Sequence, residues 1–519
     1  MPPDRSARDA TSARPAAPAL RLHSARGRWV IAASVLGAGI VFIDGTVVNV
    51  ALPAIGRTFH SGLATLQWTV TAYTLTLAAF ILVGGSIGDR YGRRRSFIVG
   101  VLWFAVASLL CGLAPSAGFL ILARALQGVG AALLTPESLA ILQATFRPED
   151  RAQAIGTWSG LSGIAAAVGP FVGGYLIQTF TWRLIFLINL PLVVAVVWIA
   201  QRHVPETSDP HASGRLDLPG AGLATVGLGA LIYGLIRGTD SGWATPGVVA
   251  ALATAGVATI AFVAVERGVS HPMLPFDIFR SRQFTSANVV TFAVYGALGG
   301  ALFLLPIQLQ QVLGFSPLEA GTALLPITLV MLALSSRAGR LSQRIGPRLP
   351  MTLGPIVAGA GLALLSQVQA GTTYFTTFLP AIVVFAFGLA LTVSPLTAAV
   401  LAAAPVEHAG LASAVNNAVA RTAGLVAVAV LPAAAGLSAT SYLQPAEFGA
   451  GFRIAMWLAA GACVVGGVIS AFTIRRQPLP VVATEESSRF SCPLDAPPLC
   501  GDRGEPEQPV VAGRGRAAA

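Results

Sequence analysis

Lysine is absent from this chain: all 33 of its basic residues are arginine, a bias typical of GC-rich bacterial coding. Without lysine there is no G-x-x-x-x-G-K-[ST] loop, which excludes an ATP-driven pump of that type. Charge of either sign is scarce, at 11% of residues. Cysteine is limited to four residues: Cys111 and Cys463 inside apolar runs, and Cys492 and Cys500 near the C-terminal end. None forms a C-x-x-C pair, so neither zinc nor a redox couple is indicated, and no metal or cofactor is expected. The six histidines all fall outside the apolar runs, which argues against a histidine proton relay inside a membrane. Nucleophile elbows and Ser/His/Asp arrangements are also missing, so the chain does not read as an enzyme.

Apolar length is abundant. Hydrophobic residues make up 54% of the 519 and mean hydropathy is +0.72, well outside the range of soluble domains. Runs of about 20 apolar residues, each able to cross ~30 Å of hydrocarbon, recur along most of the chain. The spacing predicts helices over 29–52, 66–88, 96–114, 117–137, 152–177 and 183–201. Two more are predicted at 217–237 and 247–266, then six at 284–310, 318–338, 350–369, 374–399, 411–436 and 449–474. The expected organisation is a disordered tail (1–28), a six-helix bundle (29–201), a linker with two extra spans (202–283), a second six-helix bundle (284–474) and a disordered tail (475–519). The first run is too long for the core of a cleaved signal peptide.

A net charge of +11 would suggest nucleic acid in a soluble protein. Here the arginines crowd the short loops on the side of the two tails, among them Arg90, Arg93, Arg94, Arg95, Arg147, Arg151, Arg202, Arg340 and Arg344. The opposite side carries only Arg57, Arg183, Arg237 and Arg453. That asymmetry places both termini in the cytoplasm, makes the lipid bilayer the partner and leaves no reason to expect nucleic acid.

One stretch organises the rest: Gly85-Ser86-Ile87-Gly88-Asp89-Arg90-Tyr91-Gly92-Arg93-Arg94-Arg95. Its glycines and Asp89 allow a tight turn, and Asp89 can pair with an arginine or cap the next helix. A weaker copy follows 254 residues later, where Gly339, Arg344, Gly346 and Arg348 match Gly85, Arg90, Gly92 and Arg94. Duplication of a hydrophobic bundle is the habit of secondary transporters.

This stretch resembles the G-x-x-x-D-R-x-G-R-[RK] loop of the major facilitator superfamily. Six plus two plus six helices resembles its fourteen-helix drug/proton antiporter (EmrB/QacA-type) subfamily. The resemblance implies an all-α integral membrane protein with the major facilitator fold: two six-helix bundles and two extra spans. It spans about 29 to 474 and implies a proton-driven exporter of small hydrophobic compounds in the bacterial inner membrane. The energy source would be the proton gradient, and the expected working unit is a monomer, alone or with accessory export partners. Uptake of a small metabolite and a non-transporting ligand sensor are the alternatives.

Several residues stand out for chemistry. Asp44 lies in Asp44-Gly45-Thr46-Val47-Val48-Asn49-Val50-Ala51-Leu52-Pro53, which resembles that subfamily's first-helix signature. Counting ~1.5 Å per residue from Pro53 puts it roughly 13 Å below the helix end. A carboxylate there costs on the order of 3 kcal/mol unless it is paired or faces water. Three readings stand: proton coupling, a permanent structural pair, or contact with a cationic substrate. Arg124 and Gln127 belong to Arg124-Ala125-Leu126-Gln127-Gly128-Val129-Gly130, matching the family's fourth-helix motif, and Arg124 lies at a depth where it can meet Asp44. The resemblance implies that Arg124 tunes proton transfer.

Thr135, Gln127, Glu137, Arg421 and Gln308 are candidates for the wall of a substrate cavity. Glu137 could bind a cation or sit at the cytoplasmic interface, and Arg421 could be structural or contact an anion. Gly85, Asp89, Arg90, Gly92, Arg93 and Arg94 are read as a cytoplasmic latch. Gly169, Pro170, Gly173 and Gly174, in a G-P-x-x-G-G element that resembles the one typical of exporters, are read as a hinge that seals the bundles. Glu319, the acid nearest the tenth helix, looks close to a loop.

Overall fold

The computed structural model describes residues 20–208, 217–269, 274, 276–403, 409–438 and 441–474. Of the tails expected at 1–28 and 475–519, residues 1–19 and 475–519 lie outside that range, whereas Leu20 N–H donates to the Thr145 carbonyl at 2.9 Å and the first helix already begins at Ala25, so residues 20–28 are ordered rather than tail. Fourteen helices among the described residues are long and apolar enough to cross a membrane. They are α1 (Ala25–Phe59), α2 (Leu63–Tyr91), α3 (Arg93–Gly112), α4 (Ala117–Thr145), α5 (Pro148–Thr179), α6 (Leu184–His203), α7 (Leu218–Ser241), α8 (Pro246–Gly268), α9 (Arg282–Val312), α10 (Pro317–Ile345), α11 (Arg348–Leu365), α12 (Tyr374–Ala402), α13 (Ala412–Ala434) and α14 (Pro445–Thr473). Most run past the boundaries expected from apolarity, because a helix continues into the polar layer wherever its ends are capped. Helix α1 starts at Ala25 because the Ser24 hydroxyl accepts from Gly27 N–H. Helix α4 continues through Pro136 to Thr145.

The duplicated arginine stretches differ from a simple loop. Gly85, Gly88, Asp89 and Arg90 are helical, and the turn falls to Gly92 alone, at φ 110°. In the second copy Gly339, Arg340 and Arg344 are helical and Gly346 makes the same turn at φ 85°. A positive φ at matched positions is what only glycine adopts without strain. Helix α6 breaks at Ile188, and α10 breaks at Leu324 just beyond a capping box in which Ser316 and Glu319 bond each other's backbone N–H. Glu319 is therefore committed to a helix start.

Within the first bundle α4 packs against α2 and α3, while α1 packs against α5 and α6. In the second, α11 packs on α12 and α14, and α9 on α13 and α14. The extra pair α7–α8 joins the side of this assembly, with Ile232 and Ile236 of α7 meeting Leu75 of α2 and Leu425 and Ala429 of α13. Its outer helix leaves Val257 and Ile260 exposed, as befits a surface whose solvent is lipid.

The bundles meet through α5–α10, α2–α13 and α1–α9. Four hydrogen bonds among the described residues join them: Gln67 to Val428 O (2.8 Å), Gln310 to Val50 O (2.9 Å), Leu318 N to Gln178 (3.3 Å) and Tyr442 to Ser61 O (2.5 Å). All lie toward the end opposite the arginine turns. At that end the first bundle's Val47, Leu52 and Ile55 share one apolar core with Phe303, Leu304 and Leu305 of the second.

Candidate functional site

Asp44 and Arg124 face each other inside the first bundle, and both are almost wholly buried. Arg124 Nη1 donates to Asp44 Oδ2 at 2.5 Å and to Gln127 Oε1 at 2.6 Å, and its Nε donates to the Thr69 carbonyl at 3.1 Å. Gln127 Nε2 donates to Asp44 Oδ1 (2.8 Å) and to Ser108 (2.8 Å), while Asn189 Nδ2 stands 3.5 Å from Asp44 Oδ1. The Arg124 guanidinium lies 4.2 Å from the centroid of the Tyr73 ring. Five residues from α2, α3, α4 and α6 thus surround one ion pair. Such pairing is what allows opposite charges to remain in a low-dielectric interior, and removing one partner typically costs about 3–5 kcal/mol.

Beside the pair lie two adjoining hollows where the bundles meet. One, of about 240 Å³, is lined by Val41, Phe42, Asn49, Tyr73, Thr74, Arg124 and Arg421, among others. The second, of about 210 Å³, shares Gly45, Asn49, Val70, Thr74 and Arg421 with it and adds Leu298, Leu302, Phe303, Leu425 and Val428 from across the interface. A side chain built on Gly45 would point into open space. Neither hollow is lined by an acid, because Asp44 is turned toward Arg124 and Gln127.

The remaining candidates fall in different places. Arg421 lines both hollows. Gln127 is held in the Asp44 network, and Gln308 is fully buried in the second bundle, donating to Val368 O at 2.7 Å. Thr135 bonds back to its own helix at Ala131. Glu137 is buried against Gly88, far along α4 from the cavity. Neither of its carboxylate oxygens has a hydrogen-bond partner, and a Cβ on Gly88 would strike it. None of these last four lines either hollow; the counting of helix faces left the depth and neighbours of each side chain undetermined.

At the arginine end Asp89 takes the Arg93 guanidinium at 2.6 Å. The backbone N–H of Arg94 donates to Glu206 Oε1 at 3.0 Å, the Arg94 side chain lies 3.5 Å from Glu206, and Arg93 N–H donates to Thr207 O at 2.8 Å. Arg90 lies 5.5 Å from the Tyr91 ring, and Gly85 rests against Pro136. The turn is thereby tied to the segment that follows α6 in the same bundle.

At the opposite end Gly169 and Gly173 of α5 abut Thr46 and Val47 of α1. Gly174 faces Pro317 and Leu318 of α10, and the Pro170 carbonyl touches Gly321. The G-P-x-x-G-G element therefore grips its own bundle with one edge and the other bundle with the next.

Tyr73, Ser108, Asn189 and Glu206 complete these contacts without having been singled out for them. A polar side chain inside an apolar span is a signal in itself, and it would have flagged the first three. Glu206 carried no such mark beyond being an acid near the arginines in space.

Residues 34–428 match the family described as Major Facilitator Superfamily. The chain is 37% identical over 413 residues to the multidrug resistance protein Stp of Mycobacterium tuberculosis, covering 79% of this chain and 76% of that protein. It is 34% identical over 408 residues to the tetracenomycin C resistance and export protein of Streptomyces glaucescens, covering 78% and 76%. The crystal structure of a bacterial homolog of the human lysosomal transporter Spinster, inward-facing and occupied, superimposes with a TM-score of 0.63 at 17% identity, covering 85% of this chain and 96% of that one. Two bundles of membrane-spanning helices, a buried charge pair inside the first of them, a duplicated arginine turn and a family match over most of the chain together place this protein in the major facilitator superfamily.

Proposed function

We propose that the protein exports small, largely apolar compounds across the bacterial inner membrane in exchange for protons, with Asp44 as the group that carries the proton. The observation that carries this reading is a carboxylate buried against Arg124 at the edge of a cavity between two bundles that are clasped at one end. The arginine-rich end, where the described chain begins and ends, is taken as cytoplasmic, so the clasp closes the outer side.

Each part has a chemical role. While Asp44 is ionised it neutralises Arg124, and Gln127, Ser108 and Asn189 fix its orientation. A proton arriving at Asp44 removes that charge, leaving Arg124 with only Gln127 and the Thr69 carbonyl as acceptors. The pair loosens, and α1 is freed to shift. That helix also presents Thr46 and Val47 to Gly169 and Gly173, and the Val50 carbonyl to Gln310 of the other bundle. Protonation and the outer clasp thus act on one helix, which is a physical route from proton to access state. The arginine turn, fixed by Asp89, Arg93 and Glu206, holds the inner ends of α2, α3 and α6 as one rigid piece while the bundles rock. No metal or organic cofactor enters this cycle, and one chain suffices for it.

Inverted bacterial membrane vesicles containing the protein test the reading. With an acid interior they should accumulate at least one of ethidium, tetracenomycin C or 2-hydroxy-1,4-naphthoquinone, and nigericin should release it. Vesicles that exchange a probe equally well with and without the pH gradient would refute proton coupling.

A further inference from the structure

Arg421 is a charged group of the cavity wall that the mechanism above does not use. It lies on α13 and lines both hollows. Its Nε is buried without a hydrogen-bond partner, and no ion pair to it is found among the described residues, whereas Arg124 has Asp44, Gln127 and Thr69. Arg421 is partly exposed, and a guanidinium nitrogen left without an acceptor retains its capacity to bind one. The wall around it points the same way. Asn49 Oδ1 and Tyr73 Oη are also buried without partners and border the same space, while Leu302, Phe303 and Val428 supply an apolar floor. No carboxylate lines either hollow, so the wall offers a cationic guest no counter-charge.

We infer that Arg421 is the anchor of a substrate subsite that takes an apolar ring system bearing an oxygen acceptor (a ring carbonyl, phenolate, enolate or carboxylate), and that organic cations are poor ligands. The acceptor docks on the guanidinium, where a charged or planar acceptor gains a charge-assisted bond. The rings lie against Leu302, Phe303 and Val428. Because the ligand uses Arg421 and leaves Arg124 to Asp44, binding does not take the proton carrier's own partner. The subsite deepens the export reading, yet it concerns binding alone and is testable without a gradient.

The experiment measures equilibrium binding to purified protein in nanodiscs, by quenching of intrinsic fluorescence, with three probes. These are 2-hydroxy-1,4-naphthoquinone, its 2-methyl analogue lacking the ionisable hydroxyl, and ethidium. The wild type is expected to bind the hydroxyquinone most tightly, the methyl analogue less and ethidium least. Arg421→Gln should weaken the hydroxyquinone at least tenfold and the methyl analogue by a smaller factor, and Arg421→Lys should recover part of the loss. Gly45→Leu, whose side chain enters the empty space, should weaken both quinones and keeps the proposal falsifiable if Arg421→Gln does not fold. Hydroxyquinone affinity unchanged in Arg421→Gln, or wild-type preference for ethidium over both quinones, overturns it. Failure of gradient-driven transport with this ranking intact would remove the export reading and leave the subsite standing.

Discussion

Two neighbouring glycines allow the outer clasp to be pried open with one methyl group. A Cβ at Gly174 would lie 2.5 Å from Pro317 O and 2.7 Å from Leu318 Cα. Both are backbone atoms of the opposite bundle, so neither can swing aside. A Cβ at Gly173 would instead strike Val47, which belongs to the same bundle and moves with it. Overpacking of this kind costs about 1–3 kcal/mol. In Gly173→Ala that cost falls on both access states and cancels. In Gly174→Ala it falls only on the state in which the bundles touch, so the whole of it shifts the equilibrium, by roughly 5- to 150-fold toward an opened outer side. The gain in helix propensity from glycine to alanine is shared by both variants. Spin labels on cysteines replacing Arg57 and Ala446, both exposed at the outer end, would report the separation, with Cys492 and Cys500 removed and the buried Cys111 and Cys463 left in place. Gly174→Ala should convert most of the distance distribution to a longer population, and Gly173→Ala should resemble the wild type. Equal distributions in the two variants would refute the reasoning.

Two further outcomes follow from the same contacts. Asp44→Asn and Arg124→Gln should each lower the melting temperature in detergent, each by an amount equivalent to about 3–5 kcal/mol, whereas the double variant should lose clearly less than the sum; strict additivity would mean that the pair is not coupled. Gly84→Ala should destabilise the first bundle by about 1–3 kcal/mol, because its methyl meets the Ala132 carbonyl, a backbone group of α4 that cannot swing aside, while Gly85→Ala, with Pro136 at an ordinary 3.5 Å, should be near neutral. Equal melting temperatures for these two variants would contradict the packing described here.

Much of this architecture is legible without coordinates. A 20-residue apolar run has few fates, so the fourteen spans, their grouping and the duplicated turn follow from length and charge. Boundaries were less legible, since Ser24, Gly92 and the Ser316–Glu319 box set helix ends through hydrogen bonds that hydropathy ignores. The placement of Asp44 opposite Arg124 could be reached by counting rise per residue. The assignment of Gln127 and Gln308 could not, because both lie on helices that touch several neighbours, and only packing decides whether an amide meets a cavity or a carbonyl. Glu137 illustrates the same limit: its position past Pro136 left two readings open, and its burial against Gly88 depends on how closely α2 approaches α4. Tyr73 was missed because an aromatic residue in an apolar run resembles ordinary core until an arginine is seen above its ring.

The central claim is that Asp44 carries the coupling proton, and transport by Asp44→Asn in two modes tests it most directly. In proteoliposomes, a variant unable to take up or release a proton at this position should still exchange labelled for unlabelled probe across the membrane at equal pH. The same variant should fail to accumulate probe against its gradient when an outward-directed proton gradient (acid interior) is imposed, while the wild type does both. Accumulation by Asp44→Asn at the wild-type level would contradict the account and move the coupling to another group.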